Sequence, residues 1–329
     1  MFSSQINRAV RMLRRLPLVV LMFMAQGPSA ASSDLFLTFG TGSPGGIYYP
    51  IGRGLCRIVN RNREEHGLRC SVEATAGSLY NARMLDDKQL EFAILQGDVL
   101  YEARVGTGRW AAGSLGTLRS VMPLHPEIAT LVIDGQLGIK QFGDLVSKPV
   151  NGGHPGSGSR SSYEAVVAAF DLGQEGLGRP SELRSSALPD ALCDGRIAAF
   201  FEVLGHPSSL FLTARQQCGA QLLPLTGPVI ERMVAERPYL LMLDIPGRYY
   251  GLVKDVPSFG SHAVLTTRAD LADDVVYLLT RQLLANFDEV RSLHPTLPEL
   301  SEDALSAMAM GAPLHPGAER AYRELGLLP

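Results

Sequence analysis

Gly40-Thr41-Gly42-Ser43-Pro44-Gly45-Gly46-Ile47-Tyr48-Tyr49-Pro50 follows an alternating apolar run, Leu35 to Phe39. The order reads as a strand, a glycine-rich turn and a helix that begins near Ile47. Such a turn brings backbone N–H groups to the positive end of a helix, where an anion is held without a lysine. Small-residue turns recur at Ala76-Gly77-Ser78 and at Gly156-Ser157-Gly158-Ser159. Together they point to a pocket for a small acidic ligand.

Outward from that turn, strands are expected over Leu35–Phe39, Leu68–Glu73 and Glu91–Gln96. Helices follow them over Ile47–Asn62, Ser78–Leu85 and Asp98–Val105. This alternation implies an α/β fold, with a parallel or mixed sheet covered by helices on both faces. In such sheets ligands bind beyond the carboxyl ends of the strands, which is where the turns lie.

A second unit opens with strands at Leu118–Met122 and Ile128–Ile133, the latter crossing toward a new lobe. Lys148–Asn151 leads as a strand into the loop Gly152 to Ser159, and a helix runs from Arg160 to Phe170. Next come a helix ending at Cys193, a strand Ile197–Glu202, a helix around Ser208–Gln217 and a strand Ala220–Pro224. His262–Thr266 returns the chain to the first lobe. Val276, Leu279, Leu283, Phe287 and Val290 then mark one long amphipathic helix. Met308 and Met310 fall on the next helix as core packing. Two α/β lobes joined by crossing strands result. Lobe one is 32–124 plus 256–329, and lobe two is 125–255.

The N-terminus reads as a leader. Arg8, Arg11, Arg14 and Arg15 form a basic region, and Leu16 to Ala25 is too short an apolar run to span a bilayer. Pro28-Ser29-Ala30-Ala31 offers small residues for cleavage, so residues 1–31 are expected to be a signal peptide. Removing the four arginines takes the formal charge from −3 to −7, which leaves no electrostatic footprint for nucleic acid. With 46% hydrophobic and 19% charged residues, the chain can pack two cores.

Export to an oxidising compartment makes disulfides the expected state of Cys56, Cys70, Cys193 and Cys218. Three pairings are possible; Cys56–Cys70 and Cys193–Cys218 are favoured because each closes a short loop within one lobe. The seven histidines are scattered and no CxxC spacing occurs, so no metal or cofactor is expected.

Candidate ligand contacts follow from the turns. Thr41, Gly42 and Ser43 form an anion cradle, and Tyr48 a wall beside it. Gly77, Ser78 and Asn81 open the next helix, where Ser78 can cap, bind, or do both. Gln96 can donate to a carboxylate, whereas Asp98 suits an N-cap. In lobe two, Ser157, Gly158 and Ser159 offer hydroxyl and successive N–H donors, and Arg160 could pair with a carboxylate. Phe201 and Glu202 end a strand, and Glu202 could meet a ligand amine. Lysine does not follow the glycines at P-loop spacing, which argues against a nucleotide.

These residues carry a family resemblance. Gly40-Thr41-Gly42 with Gly46-Ile47-Tyr48-Tyr49-Pro50-Ile51-Gly52 resembles the N-terminal signature of the TAXI-type solute-binding proteins of TRAP transporters. Arg69 to Asn81, Leu95-Gln96-Gly97-Asp98, the loop Gly156 to Ser159, Gly205-His206-Pro207 and Pro313 to Ala318 are similar to that family in the same order. Leu90-Glu91-Phe92 and Asp144 to Pro149 depart from its usual pattern. The resemblance implies a type II periplasmic-binding-protein-like fold, two α/β lobes joined by crossing hinge strands with the ligand cleft between them. It further implies a monomeric periplasmic protein that captures an organic acid or acidic amino acid such as glutamate, and delivers it to an ion-driven permease.

Two other readings compete. A ligand sensor would present its closed form to a membrane receptor. An exported hydrolase would need an activated serine, and Gly156-Ser157-Gly158-Ser159 lacks the Gly-x-Ser-x-Gly spacing of a nucleophile elbow. The expectation is a binder, not an enzyme.

Overall fold

The computed structural model describes residues 35–172, 182–298, 300 and 311–328. The leader expected over 1–31 and the helix expected to carry Met308 and Met310 lie outside the described residues.

The chain opens with β1 (Leu35–Gly40), α1 (Tyr48–Arg61), the single turn α2 (Arg63–His66) and β2 (Leu68–Glu73). Then come α3 (Ser78–Asp86), β3 (Phe92–Gln96) and α4 (Gly97–Val105). β1 pairs in parallel with both β2 and β3. Helix α1 forms because Ile51, Leu55, Ile58 and Val59 recur at helical spacing and are buried, while Arg53, Arg57 and Arg61 stay exposed. Each such buried side chain contributes about 2 kcal/mol.

Next is β4 (Leu118–Ile133), a single strand where the sequence reading has two. It runs antiparallel to β9 (Val256–Arg268) from Leu118 opposite Arg268 to Ile128 opposite Gly260. Register shifts fall between Ser120 and Met122 and between Pro123 and Pro126. The prolines, which lack an N–H, are carried at these irregularities and do not end the strand.

Between β4 and β9 lie β5 (Val150–Asn151), α5 (Gly158–Ala169), α6 (Leu188–Cys193), β6 (Ala199–Leu204), α7 (Ser209–Cys218), β7 (Gln221–Leu223), α8 (Pro228–Ala235) and β8 (Leu241–Ile245). The sheet order is β2-β1-β3-β9-β4-β6-β5, with β7 on β4 and β8 on β9. α8 and β8 have no counterpart in the sequence reading. β6 starts two residues later than expected, so Glu202 lies within the strand and not at its end.

After β9, α9 (Asp273–Ala285) and α10 (Phe287–Ser292) replace the one long helix expected. Asn286 breaks it: its φ of −116° and ψ of 35° leave the helical region, and its Nδ2 donates to the Gln282 carbonyl at 2.8 Å. A last helix, α11 (Pro316–Glu324), packs on α9. Just before it, the 313–315 segment bonds to both sides of Ser120 on β4.

Four apolar clusters occupy two faces of each half of the sheet. Leu37, Phe39, Leu55, Leu283 and Tyr322 belong to one, and Leu79, Leu95, Leu100 and Val264 to its opposite face. In the other half, Leu131, Val166, Phe201 and Ile230 form one cluster, and Val132, Leu192, Phe200 and Phe211 the other. The disulfides are Cys56–Cys70, tying α1 to β2, and Cys193–Cys218, tying the ends of α6 and α7.

Candidate binding site

The loops leaving the carboxyl ends of β1, β2, β5 and β6 meet around a cavity of about 670 Å³. Four helices begin at its wall: α1 at Tyr48, α3 at Ser78, α5 at Gly158 and α7 at Ser209. No acidic residue stands in the first turn of any of them. Each start carries roughly half a positive charge, and nothing within the four helices neutralises it. The Ser157 and Ser208 hydroxyls cap α5 and α7, accepting from Arg160 N and Phe211 N. At α3, the N–H groups of Leu79 and Tyr80 donate to the Gly156 carbonyl, 3.2 and 3.4 Å away on the facing loop.

That approach needs glycine. Gly77 has φ +107°, in the region that favours glycine. A Cβ at Gly158 would lie 2.5 Å from Gln96 Oε1. Beside them runs a buried polar seam. Gln96 Nε2 donates to Asp98 Oδ1 at 2.7 Å and to Ser162 Oγ at 2.8 Å, and Ser162 Oγ donates to Asp98 Oδ2 at 2.7 Å. Farther along, Tyr239 OH donates to Glu102 Oε1 at 2.7 Å, and Arg109 pairs with Glu164.

Among the described residues, two carboxyl groups line the cavity. Glu202 Oε2 accepts from Ser159 Oγ at 2.7 Å, and its Oε1 from Ser185 Oγ at 2.9 Å. Glu127, on β4, accepts from Tyr48 OH at 2.6 Å. Burial raises Glu202 above the usual carboxylate range and pushes Glu127 up to about 8. Arg184 is the one lysine or arginine among the described lining residues. His206 and Tyr250 fix the loop before α7: the Ser208 N–H donates to Tyr250 OH at 2.6 Å, and Tyr250 bonds His206 Nδ1. Thr130 Oγ1 gives its proton to the Ile128 carbonyl, so His206 Nε2 carries the proton that Thr130 accepts, and Tyr250 donates to Nδ1. Burial lowers His206 to about 3 and keeps it neutral.

Of the residues singled out by sequence, Gly42, Ser43, Tyr48, Gly77 and Ser78 line the cavity, as do Gln96, Ser157, Gly158, Ser159 and Glu202. Thr41, Asn81, Arg160 and Phe201 are not among its lining residues. Thr41 Oγ1 donates to the Glu73 carbonyl, and Asn81 Nδ2 staples the carbonyls of Thr41 and Ile94. Arg160 turns to Glu164, and Phe201 packs against Tyr163. Ser78 is not a cap: Gly77 holds that position, and Ser78 Oγ accepts from Gln96 N. Asp98 is not one either, lying inside α4 and accepting from Val99 N, Gln96 and Ser162. Glu127, Arg184, Ser185 and His294 line the cavity without having been foreseen.

A mixed α/β sheet whose strand ends carry helix starts around one cavity is similar to the fold of type II periplasmic solute-binding proteins. The chain belongs to the NMT1-like family, matched over residues 39–326. A solved protein from Bordetella bronchiseptica RB50 is similar at a TM-score of 0.50 and 14% identity, over 88% of this chain and 98% of that one. The periplasmic aliphatic sulphonate binding protein SsuA from Escherichia coli is similar at 0.44 and 13%, over 89% and 79%. An ancestral arginine-binding protein bound to arginine is similar at 0.49 and 13%, over 78% and 96%.

Proposed function

We propose that the protein is an exported solute-binding protein that captures a small acidic solute between two lobes, 32–124 with 256–329 and 125–255. In this reading it delivers the solute, as a TAXI-type subunit, to the permease of a TRAP transporter. The observation that carries the charge assignment is the set of four helix starts, free of first-turn acids, around one cavity. Two disulfides accord with a periplasmic protein. Binding is favoured over hydrolysis because, among the described residues, no cavity serine bonds a histidine ring. Ser157 Oγ donates to the backbone carbonyl of His154, and Ser159 Oγ to Glu202.

A thermal-shift screen of residues 32–329 tests this. The panel holds mono- and dicarboxylates, amino acids and sugars. A bound solute at 100 times its Kd adds about 2.7 kcal/mol. Acids alone should raise the melting temperature. A rise with sugars or cationic amino acids only would refute the charge assignment.

A further inference from the structure

The two cavity carboxyls differ in a way that bears on what the solute carries. Both oxygens of Glu202 are occupied by serine hydroxyls. Glu127 has one oxygen occupied, Oε2, by Tyr48. Its Oε1 makes no hydrogen bond among the described residues, and stands 3.9 Å from His125 Nε2, too far for one. The side chain is 4% exposed and borders the cavity, on the strand that runs between the two halves of the sheet.

Among the described residues, the groups that act on Glu127 include no cation. Tyr48 faces it from α1 and Asp98 acts on it from α4. Its own strand brings His125, close to His262 on β9 and His294 after α10. Burial lowers all three histidines, His125 to about 3, so they stand neutral at physiological pH. Burial first, and Asp98 second among the raising influences, push Glu127 up to about 8. An ionised Glu127 would repel the very anion the helix starts attract.

We propose that Glu127 meets the solute as a neutral carboxyl, donating from Oε1 to a carbonyl or hydroxyl oxygen next to the anionic group. The site then takes oxo- and hydroxy-carboxylates in preference to their amino counterparts. This rests on the capture of an acidic solute proposed above. A bound anion raises Glu127 further, so the complex holds the proton more tightly than the free protein. Affinity therefore falls as pH rises from about 8, approaching tenfold per pH unit.

Two matched series serve as probes: pyruvate, lactate, propionate and alanine, then 2-oxoglutarate, 2-hydroxyglutarate, glutarate and glutamate. Isothermal titration at pH 6 to 9 should give oxo or hydroxy members at least tenfold tighter than the amino member of the same series. E127A should weaken the best probe at least tenfold, and E127Q, which keeps a neutral donor, should recover most of that loss and flatten the profile above pH 8. Should E127A fail to fold, the wild-type ranking and pH profile decide alone. A tighter amino member, an affinity that rises with pH, or an E127Q as weak as E127A overturns the role of Glu127 and leaves acid capture standing. If no member of either series binds the wild type, acid capture itself fails and this inference falls with it.

Discussion

Replacing Ser162 with alanine isolates the contribution of the buried seam to the lobe closure proposed above. The hydroxyl receives a bond from Gln96 Nε2 at 2.8 Å and gives one to Asp98 Oδ2 at 2.7 Å. All three side chains are nearly dry, at 2%, 7% and 6% exposure for Gln96, Asp98 and Ser162. Alanine leaves one amide hydrogen and one carboxylate oxygen short of a partner, a cost of about 2 kcal/mol. In an open form water would satisfy both groups, so the whole cost falls on the closed form. That corresponds to about a 30-fold loss in the closing equilibrium. Small-angle scattering of the solute-free variant should show a larger radius of gyration, and solute affinity, which scales with the closed fraction, should fall by at most that factor, mainly through faster dissociation. Wild-type scattering together with wild-type affinity would refute the idea that this seam holds the lobes together.

Other outcomes follow from neighbouring groups. Ser159→Ala removes a donor to Glu202 and the acceptor for Val203 N at 3.0 Å, and should cost about 3 kcal/mol in urea titrations. A loss below about 0.5 kcal/mol would mean that water replaces the hydroxyl. For Glu127, the folded form holds its proton up to about 8 against 4.5 in the free side chain, so stability falls by about 1.4 kcal/mol per pH unit across that window. His125 and His206, lowered to about 3 from 6.5, act oppositely, adding stability as pH rises through that range and nothing above it. The melting temperature should therefore decline between pH 6.5 and 8. An E127Q variant that melts with the wild-type slope there would disprove the assignment. Reducing the disulfides, which close loops of 14 and 25 residues, should cost roughly 3 kcal/mol each, read as a drop in melting temperature with dithiothreitol.

The opening strand, turn and helix were plain in sequence because Ile51, Leu55, Ile58 and Val59 repeat at helical spacing behind glycines. β4 was harder. Pro123, His125, Pro126 and Glu127 interrupt its apolar run, and prolines with polar neighbours read as a connector. The cavity face of the strand was lost with it, Glu127 included. Polarity was the missed signal: an acid directly after a proline in a buried strand needs a reason to be there. Asn286 was invisible to periodicity, since Phe287 and Val290 keep the apolar spacing across the break. Thr41 and Asn81 lay in the right loops but spend their donors on the backbone, and spacing alone does not show which way a side chain turns. Arg184 and Ser185 stood in a stretch with no pattern at all, and only three-dimensional proximity to Glu202 singles them out.

The place of β9 in the sheet has a consequence for the order of events during synthesis. It lies between β3 and β4, yet it is made of Val256–Arg268, long after both. Until those residues leave the ribosome, β3 and β4 have no common neighbour and the sheet stays in two pieces. At ordinary elongation rates that delay is roughly ten seconds. On the export proposed above, a chain still to be threaded through a membrane is thereby kept from settling too early. The timetable is written into the strand order.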